Sequence, residues 1–208
     1  MKPFLGMNSQ NTALIIIDVI NSCAHQNCEI PEWKISFGKI REMVPRLNTF
    51  IEEFRATIGG PIIFGKTLPW QKEHLADNVN ELYEDERFSY YSKDSSGFAE
   101  EFYCLTPGKD DIIATKDTND ALADPKLIAQ LQAQGIKYIV TTGIFTDGCV
   151  LATVVSGFSK GFNFVVLKDL VETTDSPRRQ RLQQDLLEFT FPYMFARVVS
   201  SEEFLGNW

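Results

Sequence analysis

"KYIVTTGIFTDGCVLATVVSGFSKG", Lys137 to Gly161, carries a strand, a turn and a helix in one stretch. "KYIVTTG" (137–143) is a short apolar run with little alternation, as strands covered on both faces are. "CVLATVVSGFSKG" spaces its apolar residues as a helix does and ends at a glycine. Between them lies a turn with Gly143 before it and Gly148 inside it, and Cys149 stands at the mouth of the helix. A strand that feeds a helix is the unit from which parallel sheets are built.

The same unit recurs on both sides. "ALIIID" (13–18), "PIIFGK" (61–66), "DIIATK" (111–116) and "NFVVLKD" (163–169) read as buried parallel strands, and "FARVV" (195–199) as a sixth. Ile40, Met43, Val44, Leu47, Phe50, Ile51 and Phe54 recur at helical spacing, as do Leu127, Ile128 and Leu131 before Gly135. "SPRRQRLQQDLLEF" opens with Ser176 as the expected N-cap and Pro177 at the first helical position. Alternation with right-handed crossovers predicts a three-layer αβα fold around a doubly wound parallel sheet, in one domain over 1–208. Residues 68–110 break the rhythm, with Trp70, Tyr83, Phe88, Tyr90, Tyr91, Phe98, Phe102 and Tyr103 at weak periodicity. This segment reads as a lid, a pocket wall, an oligomer contact or a loop over a satellite cluster.

Composition bounds the function. The 208 residues are 44% hydrophobic and 23% charged, with a net charge of −8. An acidic surface argues against nucleic acid as a partner. No apolar run reaches the roughly 18 residues a bilayer span needs, so no membrane partner is expected. "MKPFLGMNSQN" shows no secretory pattern, which predicts a cytoplasmic setting with Cys23, Cys28, Cys104 and Cys149 as free thiols. His25 and His74 stand 49 residues apart, and the Cys23–Cys28 spacing is not that of a zinc site, so no metal and no cofactor is expected.

Open α/β sheets bind ligands beyond the carboxyl ends of their strands. Three chemically able residues fall there: Asp18 ends the first strand, Lys116 the third, and Cys149 follows the fourth. Singly, each has an ordinary reading, as a helix cap, a solvated lysine and a small buried residue. Together they fit nucleophilic catalysis. A helix N-terminus and a neighbouring ammonium are expected to lower the thiol pKa of Cys149, and Asp18 to move its proton. Amides of the glycine-flanked turn are placed to hold an oxyanion. "GIFTDGC" is neither a G-x-S-x-G element nor a thiol-protease signature, and no G-x-G-x-x-G follows a strand.

An Asp after strand one, a Lys ending a later strand, and "GIFTDGCV" (143–150) thereafter resemble the isochorismatase-like cysteine hydrolase family. The resemblance runs through "ALIIIDVIN", "IIATKDTND", "GIFTDGCV", "FVVLKDLVETTD" and "VVSSEEFL". It implies a six-stranded parallel sheet, a homo-oligomer (dimer or tetramer), and hydrolysis of a small molecule: an amide, a ureido compound or a vinyl ether. It assigns Asp18 as acid/base, Lys116 as the catalytic lysine and Cys149 as the nucleophile. It also implies a cis peptide between Ile144 and Phe145, with the Phe145 and Cys149 N–H groups as the oxyanion hole. Three positions depart from the family's usual pattern. Ile20 stands where the family often has the Gln of D-x-Q, with Asn21 next to it; "GKTLPWQKEHL" stands where the nicotinamidase branch builds a metal site on D-x-H; and Asn119 to Ala121 stand where S-A-F usually follows the lysine. Asn21, Cys23 and Trp70 are the expected substrate-pocket residues. Two further readings stay open: acid catalysis by Asp18 without a covalent step, and a non-catalytic interaction module.

Overall fold

The computed structural model describes residues 6–31, 35–84, 92 and 94–208. Strands β1 (Thr12–Ile17), β2 (Ile62–Thr67), β3 (Ile112–Lys116), β4 (Tyr138–Ile144), β5 (Asn163–Glu172) and β6 (Ala196–Val199) form where the apolar runs lie. All neighbours pair in parallel, in the order β3-β2-β1-β4-β5-β6. Every residue of β1 is buried, as a central strand covered on both faces requires.

Pleating divides that strand between two cores. Leu14 and Ile16 pack with α2 (Gly38–Thr57) and α7 (Ser201–Gly206). Ala13, Ile15 and Ile17 pack with α4 (Pro125–Ala133), α5 (Leu151–Ser159) and a π-helical stretch over Leu186–Phe195. The result is a three-layer αβα fold around a doubly wound sheet, as the strand–helix alternation predicts.

In α2 all seven apolar residues of the expected stripe are buried. Pro45 lies inside this helix without ending it. It sits on the exposed face, where water can satisfy the carbonyl that loses its partner. Phe37, at the cap position, supplies no side-chain bond. Asp175 caps the helix from far along the chain, accepting from the Gly38 amide at 2.8 Å and the Lys39 amide at 3.0 Å. Ser176 differs from its expected role: no side-chain capping bond forms at the start of α6 (Pro177–Asp185), and Pro177 alone sets the first turn.

The strand order reverses between β1 and β4, which opens a crevice at their carboxyl ends. The two strands approach closely there. Gly143 has φ +106°, and a Cβ on it would fall onto the Ile17 carbonyl, so only glycine fits.

The described part of 68–110 closes one side of this rim. It contains α3 (Asp77–Tyr83) and short 3₁₀ turns at Lys72–His74 and Phe98–Glu100. The Leu68 amide donates to the Lys116 carbonyl and the Ala76 amide to that of Asp117. Further on, Glu101 and Tyr103 bond the backbone at Asn21 and Val19, beside α1 (Asn21–Ala24). Phe88, Tyr90 and Tyr91 lie outside the described residues. Among the described residues no helix is long and apolar enough to cross a membrane.

Candidate active site

Asp18 is the first residue past β1, and its φ of +52° lies in the left-handed region. An aspartate tolerates that region better than most side chains, at a cost of roughly 1–2 kcal/mol. Its amide still bonds the Gly65 carbonyl of β2 at 2.9 Å, so the carboxylate is fixed at the strand end. Lys116 closes β3, and both side chains are only 2% exposed. The Lys116 Nζ lies 2.9 Å from Asp18 Oδ2 and 3.3 Å from Cys149 Sγ, and it donates to the Thr118 carbonyl at 3.0 Å. Three residues chosen from separate strand ends therefore meet at one ammonium.

The Lys116–Asp18 contact is an ion pair without hydrogen-bond alignment, and neither Asp18 oxygen has an aligned donor. Carboxylate lone pairs are thus unspent, which suits a group that must accept a proton. Burial alone would push the Lys116 pKa down. The Asp18 charge, with Cys149 as a further acceptor, outweighs it and holds the ammonium protonated above its ordinary range.

Cys149 differs from expectation in two ways. It does not begin a regular helix. It sits in a π-helical turn, Thr146–Val150, where Gly148 is non-helical and α5 starts only at Leu151. The Phe145 carbonyl accepts from the Gly148 and Val150 amides and skips the Cys149 amide between them. Second, the thiol pKa is raised, not lowered. Burial is the largest cause and the Asp18 charge the next; Lys116 pulls the other way and loses. Although Cys149 retains some accessible surface, protein atoms crowd its sulfur, and the crowding governs the pKa. The resting site therefore pairs a neutral thiol with an ammonium.

The peptide between Ile144 and Phe145 is cis. The Phe145 ring lies against Phe37 and beneath the Arg179 guanidinium, whose carbon is 4.6 Å from the ring centre. Of the expected pocket residues, Cys23 comes close enough for the charges of Asp18 and Lys116 to act on it. Burial first, and Asp18 second, push its thiol up to about 12. Asn21 is spent on structure: its Nδ2 donates to the Phe98 carbonyl at 2.9 Å. Trp70 packs on Tyr83, with ring centres 5.8 Å apart.

Asn119 is a neighbour that the sequence did not single out for the site, with Oδ1 3.7 Å from Cys149 Sγ. Its replacement of the family's usual serine was the available signal. Among the described residues no group of three or more His, Cys, Asp or Glu side chains could hold a metal ion.

The Isochorismatase domain profile covers residues 12–203. The chain belongs to the isochorismatase family. This isochorismatase-family hydrolase is 26% identical over 170 residues to the secreted isochorismatase effector Isc1 of Verticillium dahliae, covering 82% of this chain and 77% of that one. It is 24% identical over 178 residues to the ureidoacrylate amidohydrolase RutB of Klebsiella pneumoniae subsp. pneumoniae, covering 79% and 75%. A cysteine hydrolase from Pseudomonas syringae pv. phaseolicola 1448A superposes with a TM-score of 0.80 over 97% of this chain and 93% of that one. At 18% identity that likeness speaks for the fold alone.

Proposed function

We propose that the protein hydrolyses a C–N bond of a small amide or ureido compound through a thioester on Cys149. The observation that carries this reading is the meeting of Asp18, Lys116 and Cys149 around one ammonium, at 2.9 and 3.3 Å. The 24% identity to a ureidoacrylate amidohydrolase supports the choice of bond.

Because the resting thiol is protonated, attack begins with proton transfer. Asp18 takes the Sγ proton as the sulfur adds to the substrate carbonyl, forming the C–S bond. Lys116 stabilises the thiolate as it forms. The Phe145 and Cys149 amides donate hydrogen bonds to the developing oxyanion. The tetrahedral intermediate collapses, the C–N bond breaks, and Asp18 returns its proton to the leaving amine. Water then gives a proton to Asp18 and its oxygen to the thioester carbonyl. The C–S bond breaks, the acid leaves, and Asp18 reprotonates the sulfur. Neither metal nor cofactor enters the scheme. A cytoplasmic setting that keeps the thiol reduced, and assembly as a homo-oligomer, belong to the same proposal.

A second reading is vinyl ether cleavage with Asp18 as the acid and no covalent step. The raised thiol pKa, which keeps Cys149 neutral, favours it, as does the relative described as an isochorismatase effector. One experiment separates the two: turnover of a panel of small amides, ureido compounds and isochorismate by wild type and Cys149→Ala. Loss of amide or ureido turnover by at least about a thousandfold in the variant, on the scale of losing a catalytic nucleophile, supports the thioester route. Full turnover of isochorismate by Cys149→Ala establishes the second.

A further inference from the structure

The turn that carries the nucleophile is held from outside. Asp147, within "TDGC", is only 5% exposed at its side chain. Its carboxylate accepts from Arg179 Nε at 2.7 Å, from Arg179 Nη2 at 2.7 Å and from the Thr173 hydroxyl at 2.6 Å. The same guanidinium covers the Phe145 ring. One turn along α6, Gln183 Oε1 accepts from the Thr146 hydroxyl at 2.6 Å, while Gln183 Nε2 donates to Glu172 at 2.8 Å. Gln180 also donates to Glu172, at 2.9 Å. Helix α6 thus grips three consecutive residues, Phe145, Thr146 and Asp147, and ties them to the end of β5.

Such a grip answers a local need. Gly148 breaks the helical path between Phe145 and Cys149, so regular helical hydrogen bonding does not fix where the sulfur and the amides point. A bidentate Arg–carboxylate fork fixes direction as well as distance, and a lysine cannot reproduce it.

We propose that Arg179 is a positioning residue, whose fork on Asp147 and cover over Phe145 set the Phe145–Cys149 turn so that the sulfur and the two amides meet one substrate carbonyl. The proposal rests on the hydrolase reading above for its catalytic consequence. Arg179 reaches the reaction only through the turn.

The test compares wild type with Arg179→Lys, Arg179→Gln, Asp147→Asn and the Arg179→Lys/Asp147→Asn double variant, as full chains. Turnover is expressed per titrated Cys149, so that misfolded protein is not counted. A misplacement of about an ångström costs on the order of a hundredfold, so kcat should fall about ten- to a hundredfold, with KM within about threefold. Arg179→Lys should retain more activity than Arg179→Gln. The double variant should lose no more than the worse single one, because both break one contact.

A second readout needs no substrate. The groups that act on the Cys149 thiol are Asp18 after β1, Lys116 on β3 and Cys23 on α1. Loosening the turn moves the sulfur away from Asp18 and out of its crowded seat, so its alkylation by iodoacetamide should shift to lower pH. The inference is overturned by a kcat within about twofold of wild type, by additive losses in the double variant, or by an unchanged alkylation profile. If wild type turns over no amide or ureido compound, the C–N bond reading fails. The alkylation profile still decides the grip.

Discussion

At the scale of single residues, the Asp18–Lys116 pair governs the site. It is a buried ion pair whose carboxylate lacks aligned donors, so it is not arranged for stability. Removing one partner strands the other charge. Lys116→Met should therefore destabilise the fold by about 3–5 kcal/mol, whereas Asp18→Asn/Lys116→Met should recover most of that loss. Urea denaturation of the three proteins checks this, and an equal loss in single and double variants would refute it. Asp18, Lys116 and Cys149 were legible in the sequence because a rule about strand ends selects all three. The thiol's raised pKa was not legible. A sequence places Lys116 beside Cys149 but does not reveal that burial and Asp18 outweigh it.

At the scale of elements, the six strands were legible because strands covered on both faces read as continuous apolar runs. Contacts made across long stretches of chain were not. Asp175 caps α2 across more than a hundred residues, and nothing local in "TDSP" marks it for that task. The same holds for Arg179: three arginines stand in "PRRQR", and only the folded helix selects the one that faces Asp147. Burial pushes the Asp175 pKa up, but the Lys39 and Gly38 amides with Ser36 outweigh it and hold the carboxyl below its ordinary 3.8. A depressed folded pKa contributes stability above the unfolded value, and that stability is lost as pH falls through the folded one. Asp175→Ala should cost about 1–2 kcal/mol at pH 7, typical of losing a helix cap. The gap between wild type and variant should close in acid below pH 3.8, as the carboxyl protonates. Chemical denaturation across that range measures it, and a gap that stays constant would count against the cap.

At the scale of the whole molecule, the sheet order places the reversal between β1 and β4, and the chemistry gathers at their carboxyl ends. Residues 68–110 were legible only as an interruption, because aromatic residues without a period do not say what they cover. Folded, the described part lies along the same rim, bonded to Val19, Asn21 and Lys116. In the proposed reaction the fold supplies the place, and the charged groups at the strand ends supply the chemistry. Intact-protein mass spectrometry after acid quench during turnover of an amide or ureido substrate tests that account most directly. An added mass equal to the acyl group, mapped to Cys149 and missing in Asp18→Asn, is the predicted result. Sustained turnover with no adduct on Cys149, and undiminished turnover by Cys149→Ala, would contradict it.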